Sequence, residues 1–188
     1  MVVYGLETVI RGRRPYLQHN PRCIRLYSEW RKEQKKTVPP PEVEAEWGVY
    51  ENEEGPFIPS DHIEGAILGV AKDTKLEKMR GRAAYDKISR SVEVVPLEIP
   101  LMREGERIRD YEVLTNYARI RGARIERSRP KFNLPWEVGF DVRYNMEKGE
   151  IDIGTVKKMV IKSGDVGIGD WRPKYGQYDA EIVKVKEI

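Results

Sequence analysis

The chain opens on a clear alternation. Tyr4, Leu6, Thr8 and Ile10 fall on one parity, and Val3, Gly5, Glu7, Val9 and Arg11 on the other. A period of two belongs to a half-buried strand, so residues 3–11 are expected to form one. Residues 12–25, rich in arginine and holding Pro15 and Pro21, read as loop. "SEWRKEQKK" fits a short polar helix with Ser28 as N-cap and Lys35 and Lys36 at its C-terminal end. "VPPPE" is expected to stop it, because proline lacks the N–H and disfavours helix before it. "EAEWGVYENEEGPFIP" reads as a hairpin or extended arm. In "PSDHIEGAILGVAKDTKLEKM", Ser60 or Asp61 offers a cap and Ile63, Ile67, Leu68, Val70 and Ala71 make an apolar stripe. That stripe predicts a helix. Gly65 and Gly69, four apart, would let it approach a sheet closely.

"RGRAAYDKISRS" predicts a second helical piece, and "VEVVPLEIPL" a strand. "DYEVLTNYARIRGARIE" reads as one long strand with a bulge or bend at Gly122. "PWEVGFDVRYN" is a further strand and "MEKGEI" a turn. "DIGTVKKMVIKSG" predicts a helix that Gly164 ends. "GQYDAEIVKVKEI" closes the chain as a strand, but its alternation breaks: Tyr178, Ala180 and Ile182 share one parity, Val183 and Val185 the other. Without insertions the order is β-α-β-β-α-β plus an extra strand pair. This predicts an α+β fold, the ferredoxin-like or RRM-like antiparallel sheet with helices on one face. Residues 1–188 read as one domain, with 28–60 as an inserted arm. The other sheet face is free, and RNA-recognition modules use that face.

At 188 residues and 39% hydrophobic the chain has the means to bury a core, and 35% charged residues give it an ionic surface. It has no apolar run of membrane-spanning length, and its N-terminal stretch lacks a signal peptide's apolar core. A cytoplasmic protein is expected, or one of the host cytoplasm if its source is viral. The single Cys23 excludes an internal disulfide and a Cys-rich zinc site. Abundant Lys, Arg and Glu with scarce Cys point to a thermophilic source. The net charge of +3 is uninformative, but its distribution is not. Acids gather in "PEVEAEWGVYENEEG" and bases in "RGRRPYLQHNPRCIR" and "RIRGARIERSRPK".

Three stretches carry candidate chemistry. Residues 119–131 hold Arg119, Arg121, Arg124, Arg127, Arg129 and Lys131, interrupted in charge only by Glu126. Guanidinium forks pair with phosphates and stack on bases. The other reading is an ionic hairpin that pairs with the acidic segment 42–54. The first loop adds Arg11, Arg13, Arg14, Arg22 and Arg25, with Tyr16 and His19 among them, a mixture suited to single strands. "SGDVGIGDWRPKYGQY" has neither the dinucleotide fingerprint nor a P-loop lysine. Its glycines Gly164, Gly167, Gly169 and Gly176 are able to shape a backbone anion nest. Trp171, Arg172, Lys174 and Tyr175 would add stacking and charge. The other reading is a helix cap and a wide turn whose Trp171 plugs the core. No metal or cofactor motif occurs, and none is expected. His62 reads as a helix-start residue. His19, among arginines, is the one candidate for phosphate binding or general acid–base work.

"FIPSDHIEGAILGVAK", "GIGDWRPKYGQY" and the strand–loop "VVYGLETVIRGRRPYLQHNP" resemble segments of the RAMP superfamily, RRM-like proteins that bind guide RNA in CRISPR complexes. The chain also looks like small viral or phage relatives of those backbone subunits. Its glycine loop is more aromatic and charged than the usual one. The resemblance implies binding of RNA or other single-stranded nucleic acid, often in a repeating filament, with Ser60–His62 and the loop glycines near the bound backbone. Some members cut RNA with a histidine of the first loop or helix, which His19 would match. Self-association along the strand, with the arm 28–56 reaching a neighbour, is expected. A metal-independent RNA endonuclease and a protein-interaction module are the alternatives.

Overall fold

The computed structural model describes residues 2–76 and 82–188. β1 (Val3–Gly12) leads to β2 (Tyr16–Leu17), then α1 (Arg22–Gln34), α2 (Pro41–Gly48), β3 (Glu51–Asn52) and β4 (Gly55–Pro59). α3 (Ser60–Asp73), α4 (Ala83–Ser89) and β5 (Val92–Val95) follow, then the short strands β6 (Glu98–Pro100), β7 (Met102–Arg103) and β8 (Glu106–Arg107). The chain ends with β9 (Glu112–Ile120), β10 (Ala123–Phe132), β11 (Glu137–Asn145), α5 (Met146–Gly149), α6 (Ile153–Val166) and β12 (Tyr178–Glu187).

The central sheet runs β12-β1-β11, with β5 also on β11, and every pairing among these strands is antiparallel. With α3 after β1 and α6 after β11, this is the expected ferredoxin-like α+β arrangement. The parity read from β1 sets its packing: Leu6, Thr8 and Ile10 are buried under the helices, joined by Val138, Phe140, Val142 and Tyr144 of β11. Ala66, Ile67 and Ala71 of α3 and Val156, Met159 and Val160 of α6 close the core from above. Gly69 is placed against α6 rather than against a sheet: a Cβ there would come 3.0 Å from Val166 Cγ1. No helix among the described residues is long and apolar enough to cross a membrane.

Two segments are added to this frame, 13–59 between β1 and α3 and 96–136 between β5 and β11. They knit to each other. β2 of the first pairs with β10 of the second, and β4 of the first pairs with β6 of the second.

Several local expectations are corrected. The first helix begins at Arg22, not Ser28, because Pro21 stands at its N-cap and Asn20 Oδ1 accepts from Arg22 N at 3.0 Å. Proline is harmless there, since the first helical amides have no partner in the helix. The triple proline starts a helix rather than ending one: Pro41 is the first residue of α2, whereas α1 already stops at Gln34 with left-handed Lys35 as its C-cap. Neither Ser60 nor Asp61 caps α3, whose N-cap is Pro59. The expected long strand is a hairpin. Arg121 and Gly122 both take left-handed backbone, φ 49° and 85°, the geometry of a tight two-residue turn. "MEKGEI" holds one helical turn, α5. α6 ends at Gly167, while Gly164 stays inside it, pressed on the Tyr178 carbonyl. The helical readings over 77–81 lie outside the described residues.

Gly122 and Gly176 share a left-handed φ but not an environment. A Cβ at Gly122 meets open space, whereas at Gly176 it would come 1.9 Å from the Ile168 carbonyl oxygen. Gly122→Ala is therefore expected to cost about 1 kcal/mol, the backbone term alone. Gly176→Ala should cost on the order of 3 kcal/mol or more, because a backbone carbonyl must also move. Urea unfolding of the two variants checks this, and equal losses would rule out the close approach as the cause.

Candidate functional site

The free face of the central sheet is not an aromatic platform. The outward positions of β1 and β11 are Glu7, Val9, Arg11, Glu137, Gly139, Asp141 and Arg143, of mixed sign and without a ring. Bases have nothing to stack on there, so the RRM-like use of this face is not supported by its side chains.

The chemistry collects instead where the two added segments meet. A cavity of about 410 Å³ is lined by His19, Tyr27, Glu44, Arg127, Arg129 and Trp171, among others. β10 supplies the arginines, α2 the glutamate, α1 the tyrosine, and the glycine-rich loop before β12 the tryptophan. Glu44 is buried. Its Oε1 lies 3.4 Å from Arg129 Nη1 and 3.7 Å from Arg127 Nε, and its Oε2 accepts from the Ser128 amide at 3.1 Å. Arg129 Nε donates to Asp170 Oδ2 at 2.7 Å. Two guanidinium groups thus meet two carboxylates, and the cluster is close to neutral. The cation faces also stack: Arg127 over Tyr27 at 4.7 Å, Arg129 over Trp171 at 5.6 Å.

His19 forms one wall. Its Nδ1 is 3.5 Å from Arg129 Nη2 and 3.6 Å from Asp170 Oδ2. Burial lowers its pKa, the Arg129 charge lowers it further, and Asp170 opposes both. Nδ1 thus stands between a group that only donates, the Arg129 guanidinium, and one that only accepts, the Asp170 carboxylate, and the tautomer decides which of them it pairs with. His19 is a neutral ring at neutral pH rather than a phosphate-binding cation. His62 is not near it in role: its Nδ1 is 2.8 Å from the buried Tyr16 hydroxyl, and its ring meets Tyr50 edge-on at 5.3 Å. Burial, then the charge of Arg172, pushes the His62 pKa down to about 4.

The other expected residues divide by partner. Arg11 is held by Glu181 and Glu137, Arg13 by Asp165 and Asp179, and Lys131 by Glu112. Arg22 donates to the Trp47 and Glu46 carbonyls, Arg14 to Gln177. The acidic segment 42–54 does pair with bases inside the chain, through Glu44 and through Glu54 with Arg107. Arg119, Arg121 and Arg124 are different. They are exposed on the β9–β10 hairpin with no carboxylate in reach among the described residues, and Arg124 covers the Tyr117 ring at 4.9 Å. Ala118 on the same hairpin lines the cavity.

The glycine-rich loop is not an open anion nest. Its amides at Ile168, Asp170 and Gly176 donate to the Gly176, Leu17 and Pro15 carbonyls. Gly167 is buried, and a Cβ on Gly169 would come 2.1 Å from the Leu17 oxygen. The glycines press the loop onto β2, and Trp171, Arg172, Lys174 and Tyr175 are what it presents. Trp171 does not plug the core. It stands between the cavity and a groove of about 670 Å³ beside Gly65 and Gly69 that Arg172 also lines. Tyr175 lies 6.4 Å from Trp171, under Lys174. Glu44, Tyr27 and Asp170 were not singled out by sequence reasoning. Among the described residues no group of ligating side chains is placed to hold a metal ion.

No protein-family model and no curated protein matches the sequence. Among solved structures, the fold is similar to a chain in "Cryo-EM structure of the Type III-B Cmr-beta bound to cognate target RNA", with a TM-score of 0.53 and 10% identity. The match covers 100% of this chain and 60% of that one, so this chain spans less than two thirds of that chain's length. At this identity the likeness is one of fold.

Breaking the buried cluster should be costly. Glu44→Gln leaves Arg127 without its counter-charge and is expected to lose about 3 kcal/mol, against 1 kcal/mol or less, roughly, for Glu181→Gln at an exposed pair. Chemical denaturation ranks them, and equal effects would deny the cluster its structural role. His62 predicts a pH dependence. The unfolded chain protonates it near its ordinary value of about 6.5, the folded chain only near 4. Its contribution is thus full above about 6.5 and lost as pH falls toward 4, by up to about 3 kcal/mol. His62→Gln should flatten the stability curve across that window. Parallel curves for the two proteins would refute this.

Proposed function

We propose that the chain binds single-stranded nucleic acid, RNA in preference to DNA, mainly through backbone phosphates, as a RAMP-type protein of the cytoplasm. The observation that carries this is the β9–β10 hairpin: Arg119, Arg121 and Arg124 stand exposed with no carboxylate partner among the described residues, beside a cavity walled by Tyr27 and Trp171. Guanidinium groups that hold no internal partner are free to pair with phosphate without breaking the fold. Arg172 and Lys174 extend the same charge past Trp171, also without an ion pair among the described residues. Arg127 and Arg129, engaged with Glu44 and Asp170, shape the cavity rather than meet phosphate. The preference for RNA is supported by the fold shared with a chain of a complex bound to target RNA. In this reading the chain is one domain, the arm expected over 28–60 forms most of the added segment 13–59, and copies associate with one another.

Fluorescence anisotropy of labelled single-stranded RNA, single-stranded DNA and duplex DNA, over a salt series, tests this. Binding should favour single-stranded RNA and weaken steeply with salt. The triple variant Arg119→Ala, Arg121→Ala, Arg124→Ala should lower the magnitude of the log–log salt slope by about 2. Arg11→Ala with Arg13→Ala should change it far less. Trp171→Ala should cost about 1–3 kcal/mol of binding. No binding of any strand at low salt would sink the reading and favour a protein-facing surface. Probe cut in the same tubes, and spared by His19→Ala, would mean an endonuclease.

A further inference from the structure

β12 is the outer strand of the central sheet. Among the described residues no strand pairs with its free side, and ten residues of ladder are left open there. Long bare edges invite pairing, and natural sheets blunt them with proline, short length, charged side chains or bulges. β12 is long and has no proline, and the charges it does carry are arranged in two blocks. Asp179 and Glu181 come first, Lys184 and Lys186 after, with Glu187 at the strand's end.

The break in alternation between these blocks is a β-bulge. Glu7 on β1 faces Lys184 and Thr8 faces Ile182, so Val183 is the extra residue. The bulge has a consequence for the charges. In a regular strand positions 181 and 184 point to opposite faces. With Val183 inserted, Asp179, Glu181, Lys184 and Lys186 all lie on the face away from the helices, while Ala180, Ile182 and Val185 pack inward.

We propose that β12 pairs antiparallel with β12 of a second copy, about a two-fold axis between Ile182 and Val183. At that register the two bulges oppose each other. Glu181 then faces Lys184 of the second copy, and Asp179 faces Lys186, each pair occurring twice by symmetry. Directly opposed residues of an antiparallel pair share a face, which these four do only because of the bulge. The acids already lean on Arg11 and Arg13, whereas Lys184, opposite Glu7 on β1, and Lys186 make no ion pair among the described residues. Apolar surface gathers at the same edge. Val183 is 56% and Ile161 51% exposed, and Ile161 with Lys157 of α6 borders a groove of about 610 Å³ along residues 180–185. Two-fold pairing brings the two α6 helices toward each other over that groove. The contact is isologous and closes on itself. It leaves the β9–β10 hairpin and the cavity, which other elements build, open to a ligand.

The inference gives a surface to the self-association in the proposed function and rests on nothing about nucleic acid, so it is tested on nucleic-acid-free protein. Sedimentation over a concentration series should show the 21.9 kDa chain passing into a species of twice that mass. The variant Asp179→Lys, Glu181→Lys has only lysines at the four facing positions, and Lys184→Glu, Lys186→Glu only carboxylates. Each alone should sediment as a monomer, and the two mixed in equal amounts should form a heterodimer, an outcome that misfolding does not produce. In an otherwise unchanged edge, Glu181→Cys with Lys184→Cys should yield a disulfide-linked dimer on oxidation, Cys23 being buried. A monomeric parent protein, a mixture that stays monomeric with both variants folded, or a double-cysteine protein that fails to cross-link would overturn the proposal.

Discussion

The Glu44 carboxylate is withdrawn from water between two guanidinium groups, and much of the added structure is arranged around that fact. A buried charge is tolerated only when it is paired and its remaining lone pairs are filled. Arg127, Arg129 and the Ser128 amide meet that demand from one strand, β10. α2 must therefore lie across β10, and Tyr27 of α1 is carried onto the face of Arg127. Asp170 supplies the second negative charge and fixes the glycine-rich loop to the same strand. The α1–α2 pair, β10 and the glycine-rich loop, far apart in sequence, are held in register by one charge balance. A buried ion pair contributes less net stability than an apolar pair of the same volume, but it tolerates little displacement. Its use here is positional.

The sequence was most legible where one physical signal acted alone. The parity of β1 gave its buried face residue by residue, and the apolar stripe of α3 gave its packing side. The broken alternation of the last strand was a true signal as well, the mark of the bulge at Val183. Reading failed where a residue's usual role depends on its neighbours. Pro21 and Pro41 by themselves suggest loop and terminator, yet both stand where a helix begins, a position that asks nothing of the missing N–H. Arg121 and Gly122 read as a bend within one strand, because arginine in a left-handed turn has no clear sequence signature. The site was legible in part. His19, Arg127, Arg129 and Trp171 do converge, but their partners Glu44 and Asp170 lay unremarked, one inside an acidic run and one between glycines.

Segregation of charge along the chain did not translate into a uniform basic face. The two basic stretches contain eleven arginines and lysines of very different standing. Arg11 and Arg13 sit opposite acids of β11, β12 and α6, Arg14 on Gln177, and the arginines in the middle of β10 are buried with Glu44. Of these two stretches, the part near the hairpin turn is where Arg119, Arg121 and Arg124 run clear of carboxylates among the described residues. Distance from the body of the fold, rather than local sequence, decides which arginines are spare. That is why a count of charges in 119–131 overstates the binding capacity of Arg127, Arg129 and Lys131 and leaves that of Arg119, Arg121 and Arg124 intact.

The glycine-rich loop joins the core to this site. Its glycines are consumed by close backbone contact with β2 and with the loop itself, so they cannot also present amides to an anion. What they gain is placement. Three left-handed glycines and a left-handed Trp171 fold the loop tightly enough to hold an indole on Arg129, beside the cavity and beside the α3–α6 groove at once. A side chain fixed by backbone crowding loses little freedom when something stacks on it. The loop therefore serves recognition through the ring it positions, and the glycines serve the ring.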